Sequence, residues 1–215
     1  MNRSILAIAT SAAIVASADA AIVAFTNYGE WAGASANAEL ALFASPMTSV
    51  IHAEDFNGGP SASVPTLTGG SGWNAWSATA ASGVQTGNGA LMASAAGNSL
   101  VLSFPNAGGD PGVLGVGGNF RLYNSDGQKV DGRLWVRLAN GSSIVRNFTA
   151  NDNFVGFWSD DMAAPITGMR IQALGSSASS FVVGIDNLFI ASVPAPGAVA
   201  LLGAAALIGR NRRRA

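Results

Sequence analysis

The chain has 215 residues, about half of them apolar, with 11 % charged residues and no cysteine, which excludes disulfide scaffolds and thiolate metal centres. Both ends are apolar and the last residues are basic, so the interior is better counted alone. Residues 21–193 carry six Lys or Arg against eleven Asp or Glu, a net of −5, which argues against nucleic acid or anionic lipid as a partner, since both require a basic patch.

At the N-terminus, Arg3 supplies a positive charge, Ile5 to Val15 form an apolar run too short to span a bilayer, and Ala18-Asp19-Ala20 gives the small-x-small pattern cut by signal peptidase. Residues 1–20 are therefore expected to be a signal peptide, cleaved after Ala20 with recognition of Ala18 and Ala20. The body from 21 to 192 is long enough for one domain with a substantial core. Thr26-Asn27 is positioned to cap a helix from Tyr28 towards Phe43, ended by Ser45-Pro46. Gly29 and Gly33 weaken its first turns, so the expected helix is the shorter one around Ala34 to Ala44. Trp31 reads as core.

Residues 57–98 are mostly Gly, Ser, Ala and Thr with little periodicity, and read as long loops with irregular edge strands. Within them Trp73 and Trp76 flank Asn74. Indoles in loops make flat apolar platforms for sugar rings, so Trp73, Asn74 and Trp76 are candidate ligand contacts. The alternative is that such a tryptophan folds back against the core edge.

From residue 99 onward the pattern is β. Leu100, Leu102 and Phe104 share one face, and Pro105-Asn106 ends the strand. Glycines at 112, 115, 117 and 118 indicate a bulged or closely approached strand, and a strand is expected from Asn119 to Asn124. Asp126-Gly127 and Asn140-Gly141 are hairpin turns, because these residues tolerate positive φ. Between them Leu134, Val136 and Leu138 point inward, with Arg133, Trp135 and Arg137 outward. Trp135 is thus a second candidate platform or the partner of a cation–π pair, with pairing preferred. Strands at 143–149, 154–158, 166–174 and 181–190 complete the series, with Trp158 in the core. Short alternating strands separated by turn signals predict an all-β fold, an antiparallel β-sandwich of jelly-roll type, with one short N-terminal helix and a C-terminal hydrophobic helix.

Catalytic signatures are absent from the sequence. His52 is the only histidine, no serine occupies a G-x-S-x-G elbow, and there is no H-E-x-x-H, P-loop or dinucleotide fingerprint. A glycosidase needs only two carboxylates facing one cleft, so a glycan hydrolase or lyase on the same scaffold stays open as the alternative.

The C-terminus carries the most specific motif. Val193-Pro194-Ala195-Pro196-Gly197 precedes an apolar stretch from Ala198 to Ile208, followed by Arg210, Arg212, Arg213 and Arg214. The prolines hold the preceding segment out of helix. The apolar stretch falls short of the ~20 residues that span a bilayer core without help from its flanks. The arginines would stay cytoplasmic by the positive-inside rule, which leaves the body outside. This three-part order, over residues 193–215, resembles the PEP-CTERM sorting signal of Gram-negative bacteria, with Ala195 where the usual V-P-E-P signature has glutamate. The resemblance implies cleavage by an exosortase, a membrane-embedded cysteine protease, after transient association with the inner membrane, and delivery to the outer surface or extracellular matrix. Retention of the tail as an uncleaved anchor is the other outcome.

The order of features in the body also resembles the domain that commonly precedes such tails: Ala53-Glu54-Asp55-Phe56 after the helix, Phe154-Val155-Gly156-Phe157 in the middle, and Gly184-Ile185-Asp186-Asn187-Leu188 just before the prolines. The family implies an exported β-sandwich. Some related jelly rolls bind carbohydrate and hold a structural calcium where the chain ends meet, which here nominates Glu54, Asp55 and Asp186. Asn151-Asp152-Asn153 and Asp160-Asp161 are looser acidic candidates that read as turns. The expectation is an exported, non-catalytic, polysaccharide-binding surface protein, processed by signal peptidase and exosortase, with calcium as the one cofactor to test.

Overall fold

Thirteen strands, all paired antiparallel, account for most of a computed structural model in which residues 22–34, 50–106, 112–149, 151–161 and 163–192 are described. In chain order they are β1 (Ile22–Phe25), β2 (Val50–Glu54), β3 (Val64–Gly69), β4 (Trp76–Gly87), β5 (Ala90–Ala93), β6 (Leu100–Ser103), β7 (Gly115–Tyr123), β8 (Lys129–Val130), β9 (Gly132–Leu138), β10 (Ser143–Phe148), β11 (Phe154–Ser159), β12 (Gly168–Leu174) and β13 (Val182–Ser192). The order β5-β13-β7-β11 forms one layer and β6-β12-β9-β10 the other. The chain alternates between them as two Greek keys do, which is the jelly-roll arrangement. β1 extends the first layer beside β11, and β2 pairs with the far half of β13. β12 lies against β13 and β10 against β7, so the layers face each other.

Period-2 patterning fills the space between them. Leu134, Val136 and Leu138 of β9, Leu100 and Leu102 of β6, and Ile171 of β12 are at most 2 % exposed. They meet Val183, Ile185, Leu188 and Ile190 of β13 in one cluster. Truncation of any such residue to alanine costs about 2–5 kcal/mol, because the close-packed interior collapses only partly.

The alternation along β13 changes phase midway. Val183 and Ile185 face inward, and so do Leu188 and Ile190. A bulge between Asp186 and Leu188 absorbs the extra residue, with Asn187 at φ 56°. Gly118 lies across from it, and a Cβ there would stand 2.5 Å from Ile185 Cδ1. The glycine run therefore marks close backbone approach, as the sequence indicates.

The two hairpin turns form as expected. Gly141 at φ 102° donates its N–H to Leu138 O at 3.0 Å, and Gly127 at φ 74° donates to Asn124 O at 3.0 Å. Residues 57–98 depart from expectation, since they hold three strands instead of loops with irregular edges. Asn88-Gly89, with φ 55° and 72°, joins β4 to β5 as a two-residue turn. Gly83 at φ 85° bends the twelve-residue β4, whose first part pairs with β6 and whose last four residues pair with β5. One strand thus serves both layers.

Among the described residues the helix covers residues 28–34, directly after Asn27, whose Oδ1 accepts the N–H of Gly29 at 2.7 Å, so the first turns form despite Gly29. Residues 35–44 of the expected helix lie outside the described residues. Gly29 and Gly33 are tolerated because tertiary packing holds this segment down. Trp31 is fully buried on the outer side of the first layer, with Leu114, Phe154, Trp158 and Ala191. Its Nε1 donates to Phe157 O at 2.9 Å. Gly156 makes room for the ring. The segments expected to be a signal peptide (1–20) and a sorting tail with a hydrophobic helix (193–215) lie outside the described residues. Among the described residues no helix is long and apolar enough to cross a membrane.

Candidate functional site: the outward face of the β6-β12-β9-β10 layer

Alternation that sends Leu134, Val136 and Leu138 inward must send their neighbours out. On β9 these are Arg133 and Arg137, both exposed, and Trp135, half-buried between them. The antiparallel register sets what surrounds them. Trp135 lies opposite Gln172 of β12 on one side and Val145 of β10 on the other, and Val145 is 40 % exposed. Arg137 lies opposite Arg170 of β12, which in turn lies opposite Val101 of β6. Arg133 lies opposite Asn147 and Leu174.

The side chains are ordered by one another. The Arg137 guanidinium sits 5.3 Å from the centre of the Trp135 ring, the cation–π pairing preferred from sequence. Gln172 and Val145 are the cross-strand neighbours of the same indole. Arg170 donates from Nη2 to Ser99 Oγ at 3.0 Å. Shallow grooves run along both flanks of Arg170. One is lined by Val101, Ser103, Arg137 and Thr167, the other by Thr79, Asn98, Ser99 and Gln172. None of the strands of this layer, nor β3 and β4 beside it, contains an Asp or Glu.

The other candidate aromatics do not join this face. Trp76 is 3 % exposed and packs edge-on against Phe56 at 5.6 Å, so the expected platform is a core residue. Entering β4 directly after Ala75, it takes the inward phase of the strand. Trp73 sits in a short 3-10 turn, Gly72–Asn74, partly buried against the same core. Asn74 accepts the Ser71 N–H at 3.0 Å through its Oδ1, which fixes the turn. Trp73 precedes the row Ser77, Ser103, Gly168, whereas Trp135 lies at the level of Gln172. Four residues of β12 separate the rows, about 13 Å along the strands.

The nominated calcium ligands do not converge. β2 does lie beside β13, with Glu54 opposite Leu188. The bulge at Asn187, however, sends Asp186 to the outer side of the layer and Leu188, with Glu54, to the inner side. Asp186 faces Lys129 Nζ at 3.9 Å. Asp55 accepts the Asn57 N–H at 3.1 Å and its amide at 2.8 Å, and these bonds hold its carboxyl below the usual range. Glu54 lies 3.9 Å from His52 Nε2. Among the described residues no three such side chains form a group that could hold a metal, so this donor set does not fit calcium. The looser acidic candidates behave as turns: Asp152 pairs with Arg146, and Asp161 Oδ1 accepts the Ala163 N–H at 2.8 Å. Among the described residues His52 Nε2 has no hydrogen-bond partner.

Sequence reasoning found Trp135 and its flanking arginines but not Arg170, Gln172 and Val145, which only the register brings beside them. The Arg133-Leu134-Trp135-Val136-Arg137 alternation was the available signal.

No protein-family model matches the chain, and no curated protein matches it. Among solved structures it is similar to a mutant of CBM29-2, a family 29 carbohydrate-binding module, complexed with mannohexaose, at 13 % identity and TM-score 0.36 over 67 % of this chain and 93 % of that one. A family 29 module from Piromyces equi is similar at 10 % identity and TM-score 0.35, over 68 % and 93 %. A CBM29-2 mutant complexed with cellulohexaose is similar at 12 % identity and TM-score 0.33, over 66 % and 91 %. At these scores and identities, what those modules bind is a property of those modules.

Proposed function

We propose that this chain is an exported, non-catalytic protein of the bacterial surface or extracellular matrix, and that it binds polysaccharide through the outward face of the β6-β12-β9-β10 layer. The observation that carries the reading is Trp135. It is an indole held on a rigid strand, partly open, with Gln172, Arg137 and Arg170 supplying hydrogen-bond donors beside it. A pyranose ring presents an apolar face and a rim of hydroxyls, which an aromatic plate edged by polar groups complements. A carboxylate-based hydrolase or lyase on this face would need two acids flanking the scissile bond. The strands of this layer supply none.

Delivery follows from the ends of the chain. Signal peptidase acts after Ala20, the tail from Val193 holds the chain briefly at the inner membrane, and an exosortase cuts near Pro194. Mass spectrometry of the surface-released protein should find a C-terminus near Pro194. A surface species that still carries Arg214 sinks the exosortase reading in favour of the uncleaved anchor. Binding is tested by a polysaccharide array with wild-type chain and Trp135→Ala. Retention on at least one polymer, lost in the variant, is the expected result; silence across the array, or binding indifferent to Trp135, overturns it.

A further inference from the structure

Resting on the reading of this face as a polysaccharide site, we infer that its ligand is acidic: a polymer bearing carboxylates, such as a polyuronate. The one-sided placement of charge in the fold carries the inference. The body between residues 21 and 193 has a net of −5, and its six cations are Arg121, Lys129, Arg133, Arg137, Arg146 and Arg170. Lys129 and Arg146 are engaged by Asp186 and Asp152, and Arg121 donates to Thr149 O at 3.2 Å. The other three, Arg133, Arg137 and Arg170, make no ion pair among the described residues. All three are exposed on the same face of the same layer.

The strands of that layer contain no acid, although the body has eleven. An acidic domain thus presents a locally cationic face, which whole-domain charge conceals. Arg137 and Arg170 stand directly opposite each other on neighbouring strands. Like charges in that position oppose folding, and although Arg137 stacks on Trp135 and Arg170 donates to Ser99, no carboxylate among the described residues pairs with either. A ligand carboxylate set between the two guanidiniums would accept hydrogen bonds from both, in the fork geometry suited to carboxylate. Trp135 lies one step along β9, at the position for an adjacent sugar ring, and Arg133 one step further. Three outward residues of β9 therefore offer charge, aromatic plate and charge in line, spanning about 13 Å. A linear polymer with repeating carboxylates matches that alternation. Single-stranded nucleic acid shares the anionic character but places its charge on phosphates, so it is the competing occupant that the experiment must separate.

The test uses the full-length chain with polygalacturonate, the same polymer fully methyl-esterified, a neutral glucan, a neutral mannan and single-stranded DNA, in affinity electrophoresis and titration calorimetry. The expected result is binding to polygalacturonate that weakens with added salt and falls roughly tenfold or more on esterification or in Arg137→Gln/Arg170→Gln. The double variant should fold with an unchanged or raised melting temperature, since it relieves the facing charges. Equal binding of esterified and free polymer, or binding only to a neutral glycan, overturns the acidic-ligand inference and leaves the polysaccharide reading standing. Binding to DNA as tight as to polygalacturonate also overturns it, since the face would then be a general polyanion surface. Silence on every polysaccharide removes both.

Discussion

Gly156 and Trp31 interlock, and an alanine at Gly156 measures how much that contact contributes. A Cβ on Gly156 would stand 2.5 Å from Trp31 Cδ1 and 2.7 Å from its Cγ, whereas carbon atoms in contact rest ~3.5–4.0 Å apart. The ring must yield by about 1 Å. It is fully buried and its Nε1 donates to Phe157 O, so movement strains both packing and the hydrogen bond. Overpacking of this kind costs about 1–3 kcal/mol and loss of the bond about 1 kcal/mol. Gly156→Ala is expected to destabilise by about 2–4 kcal/mol, lowering the melting temperature by roughly 5–15 °C for a domain of this size. Strand propensity favours alanine over glycine, so the sign of the effect isolates the clash. Trp31→Ala alone should cost about 3–5 kcal/mol, within the range a domain of this kind survives. In that background the second substitution should cost at least 1.5 kcal/mol less than in wild type, by urea denaturation in a double-mutant cycle. Equal costs in both backgrounds, or a Gly156→Ala effect below about 0.5 kcal/mol, would refute the interlock.

Burial foremost, with Asp186 adding and Arg121 opposing, pushes the Tyr123 hydroxyl up to about 12. Unfolded tyrosine ionises near 10, so the neutral folded form contributes stability that is complete below about pH 10 and is lost as pH rises towards 12, about 2–3 kcal/mol in all. Urea midpoints across that window should fall in wild type and flatten in Tyr123→Phe, which at neutral pH should be at least as stable, because the hydroxyl has no hydrogen-bond partner among the described residues. Trp76→Ala should lose about 3–5 kcal/mol of stability, and Trp135→Ala under 1.5 kcal/mol while abolishing glycan retention; the two are separated by pairing melts with affinity electrophoresis. Chelation should leave the melting temperature of the purified protein unchanged, and a drop of several degrees restored by calcium would contradict the side-chain placement of Glu54, Asp55 and Asp186.

Much of the second half of the fold was legible because its strands are half-buried and alternate cleanly. In β9 the sequence alone separates Leu134, Val136 and Leu138 from Arg133, Trp135 and Arg137, and the Asn140-Gly141 and Asp126-Gly127 turns bound it. The glycines of β7 pointed to close approach, which the Ile185 contact explains. Residues 57–98 were not legible, because Ser, Thr, Ala and Gly give no period, and β4 changes partners at Gly83 without a change in composition. Trp76 could not be told from Trp73 by residue type or neighbours, since the difference is the phase in which β4 begins. The calcium candidates failed for a subtler reason. Their strands are adjacent as anticipated, but one unpaired residue, Asn187, moves Asp186 and Glu54 to opposite sides of the layer. Arg170 became part of the site only through pairing with Arg137, 33 positions earlier, which no local pattern announces.

The chain's five tryptophans give five indole N–H signals that report separately on face and core. Titration of the isotopically labelled protein with polysaccharide, followed by nuclear magnetic resonance, tests directly where the ligand sits. The indole of Trp135 should shift on binding while those of Trp31, Trp76 and Trp158 stay in place, and Trp135→Ala should remove the moving signal together with the binding. Perturbation confined to Trp73, or binding that leaves all five indoles unmoved, would contradict the assignment of the β6-β12-β9-β10 face.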